Sequence, residues 1–310
     1  WGWAPGLVAD VRRHNPKVVH AYFGTSGPAG LALAERLGVP LVITFHGYDA
    51  TRRASEVAKS RRGRELLRSK DRLIERTDAF IAVSEFIRQR LIEQGYPERK
   101  IVLHRNGIDV DAFKPPASGE REPIVLFVGR FVEKKGALYL LEAARALQNA
   151  GVRFKLVMIG AGPLEQQFRE FALQNDLPCV FTGFLDIDGV RSWLGRARVV
   201  AVPSVTAQDG DSEGLPTILL EAQAMETPVV ATFHSGIPEG VVNGATAELV
   251  GERDVAALAE KLRSFLDSPQ KAALFGAAGR DFVRQNFNLI TQVRGLEALY
   301  RDVRRKHGSG

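Results

Sequence analysis

Short apolar runs alternate with amphipathic stretches along most of the chain. KVVHAYF (17–23), VPLVITFHG (39–47), DAFIAVS (78–84) and KIVLHRNG (100–107) read as buried strands, the first and last running into turns. Between them, 28–37 reads as a helix ended by Gly38. Residues 51–76 read as a second helix, with Val57, Leu66, Leu67, Leu73 and Ile74 on its apolar side. Ser84 opens a third that runs to Gln94. The pattern stops at 111–123, where three prolines and no apolar period mark a linker. It then restarts, with strands at 124–130, 154–160, 199–204 and 228–232. Helices are expected at 135–150, 163–175, 217–225, 254–267, 270–285 and 289–306. Strands and helices alternating at this spacing predict an α/β protein with parallel, doubly wound sheets. Two Rossmann-like domains, 1–112 and 113–288, are expected to face each other across a cleft, with 289–310 a terminal helix packing back on the first. Ligands bind such sheets at the carboxyl ends of their strands.

Composition changes this picture little. With 45% hydrophobic and 25% charged residues in 310, the chain can bury a large core, which excludes disorder. One cysteine, Cys179, excludes a disulfide framework and a cysteine-built zinc site, and fits a reducing compartment. Six scattered histidines argue against a histidine-built metal site. No apolar run approaches the ~18 residues of a membrane span, and no signal peptide is visible. The chain opens on Trp1 rather than Met, so its natural start is expected to be missing, and Gly308-Ser309-Gly310 reads as an added tail.

Charge is more informative. The net +6 sits entirely in residues 51–76, which hold ten basic and four acidic side chains. Such a segment is either a solvated helix face or a surface for phosphate, nucleic acid or anionic lipid.

Three stretches carry candidate chemistry. In DSEGLPTILLEAQAMETPVV (211–230), Glu213 precedes a helix start at Gly214-Leu215-Pro216-Thr217, and Glu221 lies one turn beyond Thr217. A helix start offers unpaired N–H groups to an anion, and Pro216 suits an early helical position. Glu221 would repel a phosphate but could accept from sugar hydroxyls just past it. In FVGRFVEKKG (127–136), Arg130 and Lys135 flank the exit of a strand, where two cations suit a diphosphate. A merely basic surface loop is the plain alternative. GAGP (160–163) lacks the third glycine of a dinucleotide fingerprint, since Glu165 stands there. Three Asp-x-Asp triplets, Asp109/Asp111, Asp186/Asp188 and Asp209/Asp211, show how common that metal-binding pattern is by chance. Asp188 reads as a helix N-cap and Asp109 as part of a turn, and Asp209 is given no partner.

GRFVEKKG, EGLPTILLEA and HRNGIDVDAF together resemble the retaining family-four glycosyltransferases of GT-B fold. HAYFGTSGPAG, TFHGYDAT, DGDSEGLP and HSGIPE are similar, more narrowly, to bacterial exopolysaccharide glycosyltransferases of the colanic acid and amylovoran type. The resemblance begins near residue 17 and implies that the leading part of the first domain is absent. It implies hexose transfer, with retention and without metal or cofactor, from a UDP- or GDP-sugar to a saccharide or lipid-linked acceptor. Arg130 and Lys135 would bind the diphosphate, Glu221 the ribose, and Glu213 would face the reaction centre. Main-chain N–H groups of Gly214, Leu215, Thr217 and Ile218 would meet phosphates or sugar hydroxyls, and Gly183, Phe184 and Leu185 would hold the base. His46 would line the acceptor side and join Glu213, Arg130 and Lys135 as the catalytic set. Ser84, Asn106 and Gly107 would line the cleft, and His20 and Tyr22 sit at a strand end beside it. Relatives often carry histidine where this chain has Tyr22. A cytoplasmic protein follows, touching the inner face of the plasma membrane through 51–76, with no nucleic-acid partner. A sugar-nucleotide epimerase or hydrolase of the same fold, or a donor-binding fragment without full activity, are the alternatives.

Overall fold

The structure is a computed structural model and describes residues 6–116 and 121–308. The chain divides into two compact units. Unit one comprises Trp1–Arg105, Asp209–Gly214 and Ile290–Gly310, and unit two Asn106–Gln208 and Leu215–Leu289. Asp209–Gly214, far inside the second half of the sequence, thus belongs with the N-terminal unit, as does nearly all of the last helix.

Unit one runs α1 (Leu7–Arg13), β1 (Val19–Tyr22), α2 (Gly27–Leu37), β2 (Leu41–Phe45), α3 (Tyr48–Thr51), α4 (Ala54–Val57), α5 (Arg61–Arg76), β3 (Ala79–Ala82), α6 (Glu85–Glu93) and β4 (Ile101–Leu103). The strands pair in the order β1-β2-β3-β4, all parallel, with Ala21 beside Ile43, Ile43 beside Phe80 and Phe80 beside Ile101. Side chains alternate across the sheet. Ile43, Phe45, Phe80 and Ala82 pack with Leu31, Leu66, Leu73 and Ile87 on one face. Val42, Ala79 and Ile81 pack on the other with Val303, Leu296, Leu299 and Tyr300 of the last helix, Leu289–His307.

The basic segment is not one helix. Arg52 and Arg53 adopt extended backbone angles, which breaks the segment after α3, and the Arg53 N–H donates to the Asp209 carbonyl (3.1 Å). Ser60 then caps α5, its hydroxyl accepting from the Gly63 N–H at 3.0 Å. Leu67, expected on the apolar side, is exposed. Several cations are engaged internally. Arg52 pairs with Asp209 and Asp211, Lys59 with Glu56 and Arg72 with Glu35, while Arg64 and Lys70 donate to backbone carbonyls.

Unit two runs β5 (Glu122–Val128), α7 (Ala137–Asn149), β6 (Lys155–Ile159), α8 (Glu165–Gln174), β7 (Cys179–Gly183), α9 (Ile187–Arg196), β8 (Ala197–Val202), α10 (Thr217–Ala224), β9 (Val229–Thr232), β10 (Ala247–Val250), α11 (Val255–Leu266) and α12 (Pro269–Asn286). Its six parallel strands lie in the order β10-β9-β8-β5-β6-β7. Ile124, Leu126, Val157, Ile159, Val200 and Val229 point to one core, and Val125, Phe127, Leu156, Met158, Val199 and Val230 to the other. Both edge strands, β7 and β10, escape the sequence pattern, β7 being only partly buried along its length and β10 carrying Glu248. Helix α9, implied only by the reading of Asp188 as a cap, is capped by Asp186, whose carboxylate accepts from the Gly189 N–H at 2.8 Å, and not by Asp188. The expected linker is shorter than 111–123, because β5 already begins at Glu122. Its first residues are fastened down, Arg280 donating to the carbonyls of Phe113 (3.0 Å) and Val110 (3.2 Å). Residues 117–120 of it, and Ser309 and Gly310 of the expected tail, lie outside the described residues. Among the described residues, no helix is long and apolar enough to cross a membrane.

Candidate functional site

In unit two, the chain runs from β5 through β6 to β7 on one side and then returns to start β8 on the other side of β5. The carboxyl ends of β5 and β8 therefore mark the topological switch point, the place where open α/β sheets bind ligands. Arg130 and Lys135 sit in the loop that leaves β5 there. The Lys134 carbonyl accepts from the Val205 N–H at 2.8 Å, which ties this loop to the one leaving β8. Arg130 is exposed, and Lys135 is half-buried with its stem over Gly129.

The GAGP stretch supports that loop. The Phe131 N–H donates to Ala161 (2.9 Å), the Leu164 N–H to Phe131 (3.1 Å) and the Gly160 N–H to Gly183 (2.9 Å). Gly160 has φ +136, and a Cβ there would overlap the Gly129 carbonyl. These glycines let the backbone of one loop close on the next, and no dinucleotide is needed to explain them. Beyond them, the Gly183–Leu185 turn ends β7. Phe184 is 88% exposed, whereas Leu185 packs against the core and offers a ligand its main chain.

Helix α10 starts at Thr217, with Pro216 in the cap position rather than inside the first turn. Leu215 and Ile218 are buried in the core, so only their backbone can reach a ligand, while Thr217 is exposed. The first N–H groups of the helix have no acceptor within it. The Thr217 hydroxyl bonds the Glu221 carboxylate one turn on. Burial pushes the Glu221 pKa up, against the pull of that hydroxyl and of the Lys135 charge. Arg130, Lys135, Thr217 and Glu221 are thus all parts of unit two, as are Asn106 and Gly107, both half-buried.

Unit one holds the remainder. His46 ends β2's exit, and its ring is partly buried, which lowers its pKa. Among the described residues its Nε2 is buried and has no hydrogen-bond partner. Asp49, buried, fixes this turn. Its carboxylate accepts from the N–H groups of Gly24 (2.7 Å), Gly47 (3.0 Å) and His46 (3.1 Å). Burial raises its pKa, and those three donors oppose the rise.

The Asp209–Gly214 strap lies against the same turn. The Ser212 N–H donates to the Thr51 hydroxyl at 3.0 Å. Arg52 reaches Asp209 at 3.0 Å and Asp211 at 3.3 Å. A Cβ at Gly214 would overlap the His46 carbonyl, so only glycine lets the strap come this close. Glu213, 6% exposed, is held within this packing. His46, Glu213 and Gly214 are therefore brought together in unit one. Asp209, to which no ligand role was assigned, pairs with Arg52, 157 positions earlier in the chain by numbering (209 − 52), because the strap folds back onto it.

His20 donates and accepts between the Tyr300 hydroxyl and the Thr44 hydroxyl, both at 2.6 Å. Burial and the neighbouring His46 and His104 lower its pKa to about 4, so it is a neutral, structurally engaged ring. The Ser84 hydroxyl accepts from the Ile87 N–H at 3.2 Å and is occupied as the cap of α6. Asp109 makes the expected turn, accepting from the N–H groups of Asp111 (3.0 Å) and Ala112 (2.9 Å). Among the described residues, no group of three or more His, Cys, Asp or Glu is placed to hold a metal ion. Asp49, Thr51 and Arg52 were not foreseen as site residues. The HGYD sequence contained the signal for Asp49, a carboxylate two residues after a glycine at a strand exit, but nothing local pointed to Arg52.

Residues 110–282 match the family model for glycosyl transferases group 1, and residues 1–112 that for Glycosyltransferase Family 4. The colanic acid biosynthesis glycosyltransferase named WcaL of Escherichia coli K12 is 37% identical over 95% of this chain and 72% of its own length. The amylovoran biosynthesis glycosyltransferase AmsK of Erwinia amylovora is 33% identical over 95% of this chain and 72% of its own. Among solved structures, Anabaena Alr3699/HepE in complex with UDP and glucose superposes with a TM-score of 0.79 at 20% identity, covering 97% of this chain and 83% of that one. Two parallel α/β units, a cation-bearing switch point and these relatives agree: the chain belongs to the group 1, family 4 glycosyltransferases and is a glycosyltransferase of GT-B fold.

Proposed function

We propose that the protein transfers a hexose, with retention and without a metal ion, from a UDP- or GDP-sugar to a saccharide or lipid-linked oligosaccharide. The observation that carries this reading is the set at the unit-two switch point, where the Lys135 charge, on the loop that also carries Arg130, acts on Glu221 in the first turns of α10. Cleaving a sugar–diphosphate bond places negative charge on the leaving group. Cations and helix N–H groups already in place stabilise that charge as it grows, with no reorganisation at the moment of reaction. A diphosphate needs no acid to protonate it. Glu221, one turn in, suits the ribose hydroxyls rather than the phosphates. Metal independence is supported by Asp209 and Asp211, the best-placed Asp-x-Asp pair, being engaged by Arg52. In unit one, Glu213 and His46 are the candidates to face the transferred sugar and the acceptor.

Calorimetric titration with UDP, GDP, UDP-glucose and GDP-mannose, with and without EDTA, tests the reading. Micromolar to millimolar binding that survives EDTA is expected. Binding lost in EDTA and restored by magnesium or manganese would rule out the metal-free form of it. The same reading sets the 51–76 segment against anionic lipid at the inner face of the plasma membrane in the cytoplasm. Equal flotation with neutral and anionic vesicles would remove that part.

A further inference from the structure

At the carboxyl end of β1, two successive aromatic residues face outward. Tyr22 is 55% exposed and Phe23 38%. They do not stand alone. The Tyr22 ring stacks on His20 (centroids 4.5 Å apart) and lies nearly parallel to His46 (5.7 Å, 15°). Phe23 packs beside His46 (4.8 Å) and Tyr48 (5.5 Å). A continuous aromatic strip therefore runs from His20 through Tyr22, His46 and Phe23 to Tyr48.

Tyr48 is also a wall of a cavity of about 310 Å³, lined with it by Thr25, Asp49, Arg52, Glu56 and Lys59 among others. That volume is at the lower end of ordinary small-ligand sites. The lining is mostly apolar carbon, and the charged groups set in it are paired. Arg52 is matched by Asp209 and Asp211, and Lys59 by Glu56 at 2.6 Å. Thr25 and Tyr48 add hydroxyls, 3.0 Å from one another. A site with paired charges and many donors and acceptors does not select an anion. It suits a neutral molecule rich in hydroxyl groups.

Phe23 carries a second signal. Its φ is +72, a conformation that costs a bulky residue and that packing must enforce. Phe23 is 38% exposed, its ring packed beside His46 and Tyr48, so the strained backbone fixes the ring within the strip while one part of it still meets solvent. The Phe23 N–H bond to the Thr44 carbonyl (2.9 Å) holds the residue so that the strained backbone presents the ring.

We propose that Tyr22, Phe23 and Tyr48, with the cavity behind Tyr48, form a saccharide site. The apolar C–H face of a pyranose covers the exposed rings, and hydroxyls of a neighbouring sugar unit reach the Thr25, Arg52 and Lys59 side of the cavity. Calling that saccharide the acceptor rests on the proposed transfer reaction; the binding itself does not.

The strained residue supplies a clean test. Phe23→Gly deletes the ring and relieves the backbone at once, and Tyr22→Ala deletes the neighbouring ring with no change of backbone strain. Saturation-transfer NMR is recorded with the methyl glycosides of glucose, galactose and mannose, and with octyl glucoside. At least one methyl glycoside should receive saturation on its ring C–H protons. Phe23→Gly and Tyr22→Ala should each weaken that binding about tenfold, as expected for loss of one aromatic contact. UDP or GDP affinity should not move in either variant, and both should keep a cooperative thermal transition. The proposal is overturned if no methyl glycoside binds, if only octyl glucoside binds, or if the folded variants bind as the parent does. Failure of the transfer reading looks different: neither UDP nor GDP binds the parent protein, whatever the glycosides do.

Discussion

The candidate residues of the two units treat charge in opposite ways. In unit one the polar groups around His46 are answered internally. Asp49 accepts from three backbone N–H groups, and Arg52 faces two carboxylates. Burial lowers the pKa of both His20 and His46. In unit two, Arg130 stands exposed and Lys135 half-buried, beside a helix start and a carboxylate whose pKa is raised. The first half is preorganised for uncharged hydroxyls and the second for an anion.

The sharpest way to break this comparison is to remove a cation. Arg130→Ala and Lys135→Ala should each lower the transfer rate by ~10²–10³ and weaken nucleotide affinity by roughly 1.5–3 kcal/mol. Progress curves and calorimetry with UDP and GDP check this, and parent-like nucleotide binding in both variants would move the anion site elsewhere. Asp49→Ala strikes the other half. It leaves three buried N–H groups without their acceptor, so stability should fall by roughly 2–4 kcal/mol in urea titration. An unchanged midpoint would mean that water replaces the carboxylate.

Glu221→Ala refines the anion half. It should weaken UDP and GDP about tenfold and leave pyrophosphate affinity unaltered, since its partner is a ribose hydroxyl pair. Equal losses for all three ligands would contradict that assignment. Arg52→Ala and Asp209→Asn loosen the strap that carries Glu213. Both partners of the Arg52–Asp209 pair are partly exposed, so each change should cost only ~0.2–1 kcal/mol of stability. Turnover should fall a few-fold while nucleotide affinity stays the same. Loss of nucleotide binding in Asp209→Asn would instead favour a metal-binding role for that residue.

The smallest effect is on the pH profile. Native His20, with its pKa near 4, stays neutral where the same residue in the unfolded chain, with its pKa near 6.5, takes up a proton. His46 and His104 shift in the same direction. Stability should therefore be flat above pH 7 and decline as pH falls through 6.5 towards 4. Melting temperatures between pH 8 and 5 measure this. His20→Asn should flatten the slope, and an equal slope in that variant would discharge His20 as its source.

Much of this was legible from local pattern. Continuous apolar runs such as LVITF and IVLFV can only be strands covered on both faces, and Gly38, Ser84 and the prolines near 115 punctuate them by backbone sterics alone. Edge strands β7 and β10 were hidden because β7 is covered on one side only and β10 carries Glu248, whose charge is answered by Lys261 and Lys271, so neither is a continuous apolar run. The 51–76 segment misled because helix propensity is local, whereas its break depends on the Arg53 N–H meeting the Asp209 carbonyl.

The sequence by itself determined most of the elements, the parallel α/β class and the residue types that suit a nucleotide sugar, since all of these follow from period, turn chemistry and charge within a few tens of residues. Tertiary structure alone decided that the strap bearing Glu213 lies against the His46 turn, that Asp209 answers Arg52 and that Tyr22, Phe23 and Tyr48 form one strip. Those juxtapositions depend on how the chain returns to residues far behind it, and side-chain identity along a line carries no measure of that distance.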